Sequence, residues 1–157
     1  LHRTPIDLVQ LIGQLTAEFS LQLRNQDMEI VFSPPQEKLM IQADGDKIMQ
    51  AFENLITNAM RYGNDGKQIR VEVKKSEQEA EVRVINYGPP IPPMDLPYIF
   101  ERFYRVEKSR SLDTGGAGLG LAIVKSIIEL HDGQIYASSS TAETAFIVKL
   151  PLIDLKA

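Results

Sequence analysis

Asn54 and Asn58 stand four residues apart, and Arg61 and Tyr62 follow one turn later. On a helix that spacing places all four on one stripe, the asparagines about 6 Å apart along the axis. Asparagine is a poor helix former, so a pair on one stripe calls for a reason. Two neutral carbonyl oxygens suit Mg²⁺ that keeps most of its octahedral shell as water and phosphate oxygens. An ordinary polar face with local hydrogen bonds accounts for the pair equally well. Three further groups carry chemical potential. Asn86-Tyr87-Gly88-Pro89-Pro90-Ile91 follows an alternating strand, where a side chain can meet a ligand edge, though a plain Gly-Pro turn has the same composition. Phe100 to Arg105 mixes aromatic and basic residues, as a surface patch or a small satellite core would. Gly115-Gly116-Ala117-Gly118-Leu119-Gly120-Leu121 opens a helix, where glycine amides and the helix N-terminus favour a phosphate.

Two familiar phosphate motifs are absent. The glycines do not follow a strand in a βαβ unit, and no Gly-x-x-x-x-Gly-Lys-[Ser/Thr] occurs, so neither a dinucleotide fold nor a P-loop fits. The glycine loop and His-Arg-Asp set of serine/threonine kinases also fail to align, because the glycines come late.

The elements that must hold these groups follow from apolar periodicity. Leu8, Ile12, Leu15, Phe19 and Leu23 recur at steps of three and four, with Thr4, Pro5 and Asp7 as start signals of a first helix. Met28–Phe32 and Leu39–Ile41 read as short strands around Ser33-Pro34-Pro35. A second helix begins after Asp44, a fitting N-cap, with Ile48, Phe52, Leu55, Ile56 and Ala59 inward. Residues 69–73 and 81–85 alternate and predict a hairpin. From Asn86 to Gly118 the period disappears over a stretch too long for an ordinary connection, which marks a functional or disordered loop. A third helix from Leu119 to about His131 leads through Asp132-Gly133 into strands at Ile135–Ser139 and Ala145–Leu150. Helices interleaved with antiparallel strands predict a single α+β layered domain.

Composition narrows the classes further. The chain has 157 residues, 43% of them hydrophobic, and no cysteine, so disulfide scaffolds, thiolate zinc sites and cysteine nucleophiles are excluded. Its length supports a core without such staples. Seventeen Lys and Arg against 21 Asp and Glu give a net charge of −4, which argues against a broad nucleic-acid footprint. No run approaches the ~18 apolar residues of a membrane span. Leu1 suggests neither a signal peptide nor an initiator, and the expectation is a soluble piece of a longer protein.

Order and spacing join the four groups. Asn54-x-x-x-Asn58-x-x-Arg61-Tyr62, then Asn86-x-Gly88, then Phe100 to Arg105, then Gly116-x-Gly118-x-Gly120-Leu121 resembles the N, G1, F and G2 boxes of sensor histidine kinases, over nearly the whole chain. The stretch from Asp113 to Gly120 is similar to the vancomycin-resistance sensor type. The resemblance implies the ATP-binding fold shared with gyrase, Hsp90 and MutL: a Bergerat-type two-layer α/β sandwich whose mixed, mostly antiparallel sheet is covered on one face by three helices. Residues 1–157 would form one catalytic domain, with 1–7 a linker from an upstream dimerisation domain and about 87–117 an ATP lid. Its ligands would be ATP and Mg²⁺. By position, Asn58 would hold the metal, Asn54 would assist, and Arg61 and Tyr62 would lie near the phosphates and nucleotide ring. Asn86, Gly88 and Ile91 would face the base. Tyr104 and Arg105 would reach the ligand from the lid, Arg105 in a catalytic role beside Asn54 and Asn58. Thr114, Gly116, Gly118, Leu119, Gly120 and Leu121 would form the flexible end whose amides meet the phosphates.

The same resemblance implies γ-phosphoryl transfer to a histidine on a separate dimerisation domain within a homodimer, a response regulator as partner, and no nucleic acid. It implies a cytoplasmic domain of a bacterial cell-membrane protein, the membrane being reached only through upstream regions. The chain departs from the family in several places. Asn86 stands where Asp usually accepts from the adenine amino group, so a neutral bond replaces a charge-assisted one and affinity falls by roughly 1 kcal/mol. Pro90 replaces a glycine and stiffens that side of the lid. Asn54 stands where hydrolysing relatives carry a glutamate base, which predicts slow hydrolysis; Glu53, turned about 100° away, is expected at the surface or at an incoming acceptor. His2-Arg3-Thr4-Pro5 lacks the family's acceptor spacing, and His131 is expected to be structural. A gyrase- or MutL-like ATPase and a degenerate docking module are the alternatives.

Overall fold

The computed structural model describes residues 1–62, 67–104 and 120–153. Within them lie strands β1 (Thr4–Asp7), β2 (Glu29–Ser33), β3 (Met40–Ala43), β4 (Gln68–Ser76), β5 (Glu79–Asn86), β6 (Gln134–Ser139) and β7 (Thr144–Pro151), and helices α1 (Leu8–Leu23), α2 (Gly45–Tyr62) and α3 (Gly120–Leu130). Five strands form a sheet in the order β2-β4-β5-β7-β6, with β2 parallel to β4 and every other pair antiparallel. Three helices cover one face, as expected for the two-layer α+β sandwich.

The first two helices start where a cap can satisfy the free amides of the first turn. Asp7 accepts from the Val9 amide at 3.1 Å to open α1. Asp44 accepts from the Lys47 amide at 3.3 Å ahead of α2, and the His2 amide holds its carboxyl below the ordinary aspartate range. The helices bury one stripe each: Leu8, Ile12, Leu15 and Leu23 on α1; Ile48, Phe52, Leu55, Ile56 and Ala59 on α2; Val124, Ile127 and Ile128 on α3. Full burial of side chains such as Phe52 or Leu55 contributes about 1.5–3 kcal/mol each.

One expectation is corrected at the start of the chain. Thr4 and Pro5 are not helix start signals; they lie in β1, which pairs antiparallel with β3, Thr4 opposite Ala43 and Asp7 opposite Met40. A proline is compatible with a two-stranded edge because its missing N–H leaves no ladder bond broken there. Only Asp7 acts on the helix. Elsewhere the strand limits lie within three residues of their sequence-derived positions, the largest difference being the extension of β4 to Ser76.

The register sorts the sheet face beneath the helices into rows. Val71, Val84, Phe146 and Ala137 form one, and Val73, Val82, Val148 and Ile135 another, both apolar. The end row differs: Ile69 is followed by Asn86, Thr144 and Ser139. Asn86 and Thr144 are each only 3% exposed, so polar groups are buried at this one end. On the opposite face Glu81 is nearly buried, bonded to Arg83 Nε at 3.1 Å and to Lys74 Nζ at 3.5 Å. Burial works to raise its carboxyl pKa, but the two cations win and hold it below the ordinary glutamate range.

Candidate functional site

His131 shows how the helix layer is oriented. It is 2% exposed at the end of α3; its Nδ1 lies 2.8 Å from the Ile127 carbonyl, and its Nε2 accepts from the Asp44 amide at 3.1 Å. An acceptor Nε2 fixes the neutral tautomer with the proton on Nδ1, donated to Ile127. The C-terminal end of α3 is thereby tied to the N-terminal end of α2. Because α2 and α3 also pack along their lengths, they run antiparallel. The eleven residues of α3 cover about 16 Å, and the same distance along α2 from Asp44 reaches Leu55. Gly120 therefore lies level with the stretch from Asn54 to Asn58.

Short connections fix the same end of the molecule against the sheet. From Tyr62 to Gln68 the chain has only residues 63–67 between helix and strand, which keeps the C-terminal end of α2 within about 20 Å of the start of β4. That is the Ile69–Asn86 end of the sheet. At the other end, α3 turns into β6 within three residues. The Asp132 amide donates to the Glu129 carbonyl at 3.0 Å and the Gly133 amide to the Ile128 carbonyl at 2.9 Å, with Asp132 at φ 62°, a Schellman closure. A Cβ on Gly133 would lie 2.5 Å from the Lys149 carbonyl oxygen, so only glycine permits the helix to approach β7 this closely. β6 then runs back to Ser139, under the beginning of α3. The second half of α2, the N-terminus of α3 and the polar end row thus converge.

Asn54 and Asn58 are half-buried on α2, while Glu53, Arg61 and Tyr62 are exposed. Asn86 is buried in the end row, with Gly88 half-buried and Pro90 exposed beyond it. The Ile91 amide donates to Ser139 Oγ at 2.8 Å, and Ser139 Oγ lies 2.6 Å from Thr144 Oγ1, so the segment after Asn86 is fastened to the end row. Gly120 is exposed, with nothing among the described residues within 4 Å of a Cβ position. Leu121 is half-buried beside it, packed against the core.

Tyr104 has partners within its own segment. Its hydroxyl donates to Asp95 Oδ1 and its ring lies 5.7 Å from that of Tyr98. The bond to the Asp95 carboxylate pushes the phenol pKa up to about 12. Next to it, Phe103 is 66% exposed at φ 66°, with the Arg102 guanidinium 5.9 Å from its ring centroid. A bulky residue in the left-handed region is strained. Arg105, Thr114, Gly116, Gly118 and Leu119 lie outside the described residues.

Ser139, Thr144 and Asp95 were not among the sequence-derived candidates. Thr144 and Ser139 acquire their place through strand pairing between distant segments, which local pattern does not reveal. Among the described residues no three His, Asp or Glu side chains converge as a metal site. A divalent ion here would take few protein ligands, in keeping with amide oxygens from α2 and a shell completed by water and phosphate.

A family model for the histidine kinase-, DNA gyrase B-, and HSP90-like ATPase matches residues 43–154. The chain belongs to that family. Among its relatives, the sensor protein VanS of Enterococcus faecium is 43% identical over 151 residues, covering 96% of this chain and 39% of VanS. The sensor protein kinase WalK of Staphylococcus saprophyticus is 40% identical over 129 residues, covering 80% of this chain and 21% of WalK. The chain thus spans well under half of either relative. The catalytic domain of the histidine kinase ThkA superposes with a TM-score of 0.83 at 29% identity, covering 96% of both chains. ThkA in complex with the response regulator TrrA superposes at 0.78 and 28% identity, covering 96% of this chain and 42% of ThkA. The mixed sheet under three helices is the fold of histidine kinase catalytic domains in this ATPase family.

Proposed function

We propose that this chain is the catalytic domain of a sensor histidine kinase, which binds Mg²⁺-ATP and presents its γ-phosphoryl group to a histidine on an upstream dimerisation domain. The observation that carries the proposal is the convergence of the asparagine stripe of α2, the N-terminus of α3 and the buried polar end row. Asn54 and Asn58 offer neutral oxygens toward a hydrated metal, and the first turn of α3 offers free amides to phosphate. Arg61, and Arg105 by its place in the sequence, supply cations. Asn86 reads the base edge at the end of the sheet. Bound Mg²⁺ supplies charge neutralisation on the phosphates.

This chain's contribution is positioning and charge stabilisation. The acceptor imidazole attacks in line, the new P–N bond forms as the bond to the ADP oxygen breaks, and ADP departs. Asn54 cannot take a proton from water, and Glu53 is exposed, so hydrolysis is not the favoured outcome. A homodimeric parent, a membrane anchor outside this chain and a response regulator as final acceptor complete the proposal, supported by the likeness to VanS and to ThkA in its complex with TrrA. The test is radiolabel transfer from ATP to the upstream dimerisation domain added in trans. Transfer faster than acceptor-independent ATPase turnover is expected; hydrolysis faster than transfer overturns the transferase role.

A further inference from the structure

The buried base-side position is an amide in a row of reorientable hydroxyls, and this bears on which purines the site accepts. Asn86 is 3% exposed and faces the helix layer. Thr144 is directly across from it on β7, and Ser139 is directly across from Thr144 on β6. Side chains in such pairs have Cβ atoms about 4.5–5.5 Å apart, within reach of each other. The end row contains no ionisable side chain: Ile69, Asn86, Thr144 and Ser139 are all neutral.

Hydrogen-bond polarity in this row is therefore not fixed. Ser139 Oγ accepts the Ile91 amide and still has a proton and a second lone pair, so its bond with Thr144 Oγ1 can run in either direction. Thr144 can accordingly present either a lone pair or a proton toward Asn86. The Asn86 amide carries one acceptor and two donors on a nearly symmetric head and can turn over about its last torsion. A carboxylate at this position would be acceptor-only. It would favour a 6-amino purine and repel a 6-oxo oxygen.

We infer that Asn86 leaves the nucleotide site unable to discriminate a 6-amino from a 6-oxo purine. With a 6-amino purine, Asn86 Oδ1 accepts from the amino group and Nδ2 donates to the adjacent ring nitrogen. With a 6-oxo purine the amide is reversed: Nδ2 donates to O6 and Oδ1 accepts from the protonated ring nitrogen. The two arrangements have equal numbers of neutral hydrogen bonds, and the Thr144–Ser139 pair reverses with them.

The inference rests on the proposed nucleotide site, and the experiment separates the two. Displacement of a fluorescent ATP analogue from this chain is measured with ADP and with inosine diphosphate, whose base has the 6-oxo group and ring N–H but no 2-amino group. The expected result is a ratio of the two dissociation constants within tenfold, widening by at least tenfold in Asn86→Asp. Inosine diphosphate weaker than ADP by more than tenfold in the parent overturns the inference and leaves ATP binding intact. Failure of ADP itself to displace overturns the nucleotide site and the inference with it. Because the parent ratio needs no substitution, the outcome does not hang on folding of Asn86→Asp. An Asn86→Asp variant that melts like the parent yet keeps the parent ratio also overturns it.

Discussion

Replacing His131 with alanine should cost about 3 kcal/mol. The ring is 2% exposed and both nitrogens are engaged, Nδ1 with the Ile127 carbonyl at 2.8 Å and Nε2 with the Asp44 amide at 3.1 Å. Each lost bond contributes about 1 kcal/mol net, with the stranded Asp44 amide at the low end of the unsatisfied-donor range because Asp44 is only half-buried. The space left by the ring adds about 1 kcal/mol more. For a domain of this size that total corresponds to a fall in Tm of about 6–12 °C. His131→Asn retains a donor near the Nδ1 position and should lose about half as much. Thermal unfolding followed by circular dichroism measures both. The same geometry leaves neither nitrogen free as a nucleophile, so incubation with labelled ATP should leave the parent chain unlabelled. A Tm for His131→Ala within 2 °C of the parent, or label on His131, would refute the reasoning.

Three further outcomes follow from the geometry. Tyr104 should titrate near 12 in carbon-13 NMR of labelled tyrosine, and Asp95→Asn should bring it back toward the ordinary phenol value. Since the folded-state value is raised, the stabilisation from this bond is complete below the unfolded phenol's pKa and is lost as pH rises through the folded one. Glu81 has the opposite sign: its folded-state pKa is depressed, so its contribution is present above the unfolded value and disappears as pH falls through the folded one. Glu81→Gln should cost about 1 kcal/mol at neutral pH and flatten the acid limb of urea-derived stability, while a parallel shift at every pH would count against the ion-pair account. Gly133→Ala should destabilise by about 1–3 kcal/mol, because its Cβ would meet a backbone oxygen rather than a flexible side-chain end. A Gly133→Ala variant as stable as the parent would show that α3 can draw back from β7 without cost.

What was legible in the sequence was whatever depends on neighbours along the chain. The stripe Ile48, Phe52, Leu55, Ile56 and Ala59 on α2, the alternation in β4 and β5, and the Asp44 cap are local patterns, and the structure has them. Thr4 and Pro5 misled because start signals for a helix are also compatible with a short edge strand, and the choice was made by β3, whose residues Ala43 and Gln42 pair with them from far along the chain. The hydroxyl pair Ser139 and Thr144 was invisible for a similar reason. Neither residue signals binding by itself, and their place beside Asn86 exists only once β5, β7 and β6 are aligned. Tyr104 was read by position as a lid residue, and the acceptor that Asp95, nine residues earlier, supplies to its hydroxyl is something a motif comparison does not weigh. The asparagine stripe and Gly120 are level with one another because His131 ties α3 to Asp44 and Asp132-Gly133 turns it onto β6, two constraints that read from the sequence only as a structural histidine and a turn.

The most direct test of the central claim, that these parts grip a metal-bound triphosphate, is an ATP titration with Mg²⁺ or with chelator, on the parent and on Asn58→Ala, with melting temperatures confirming that both are folded. The parent should bind ATP at least tenfold more tightly with Mg²⁺, and Asn58→Ala should abolish most of that gain. Binding by the parent that ignores both the metal and Asn58 would contradict the account.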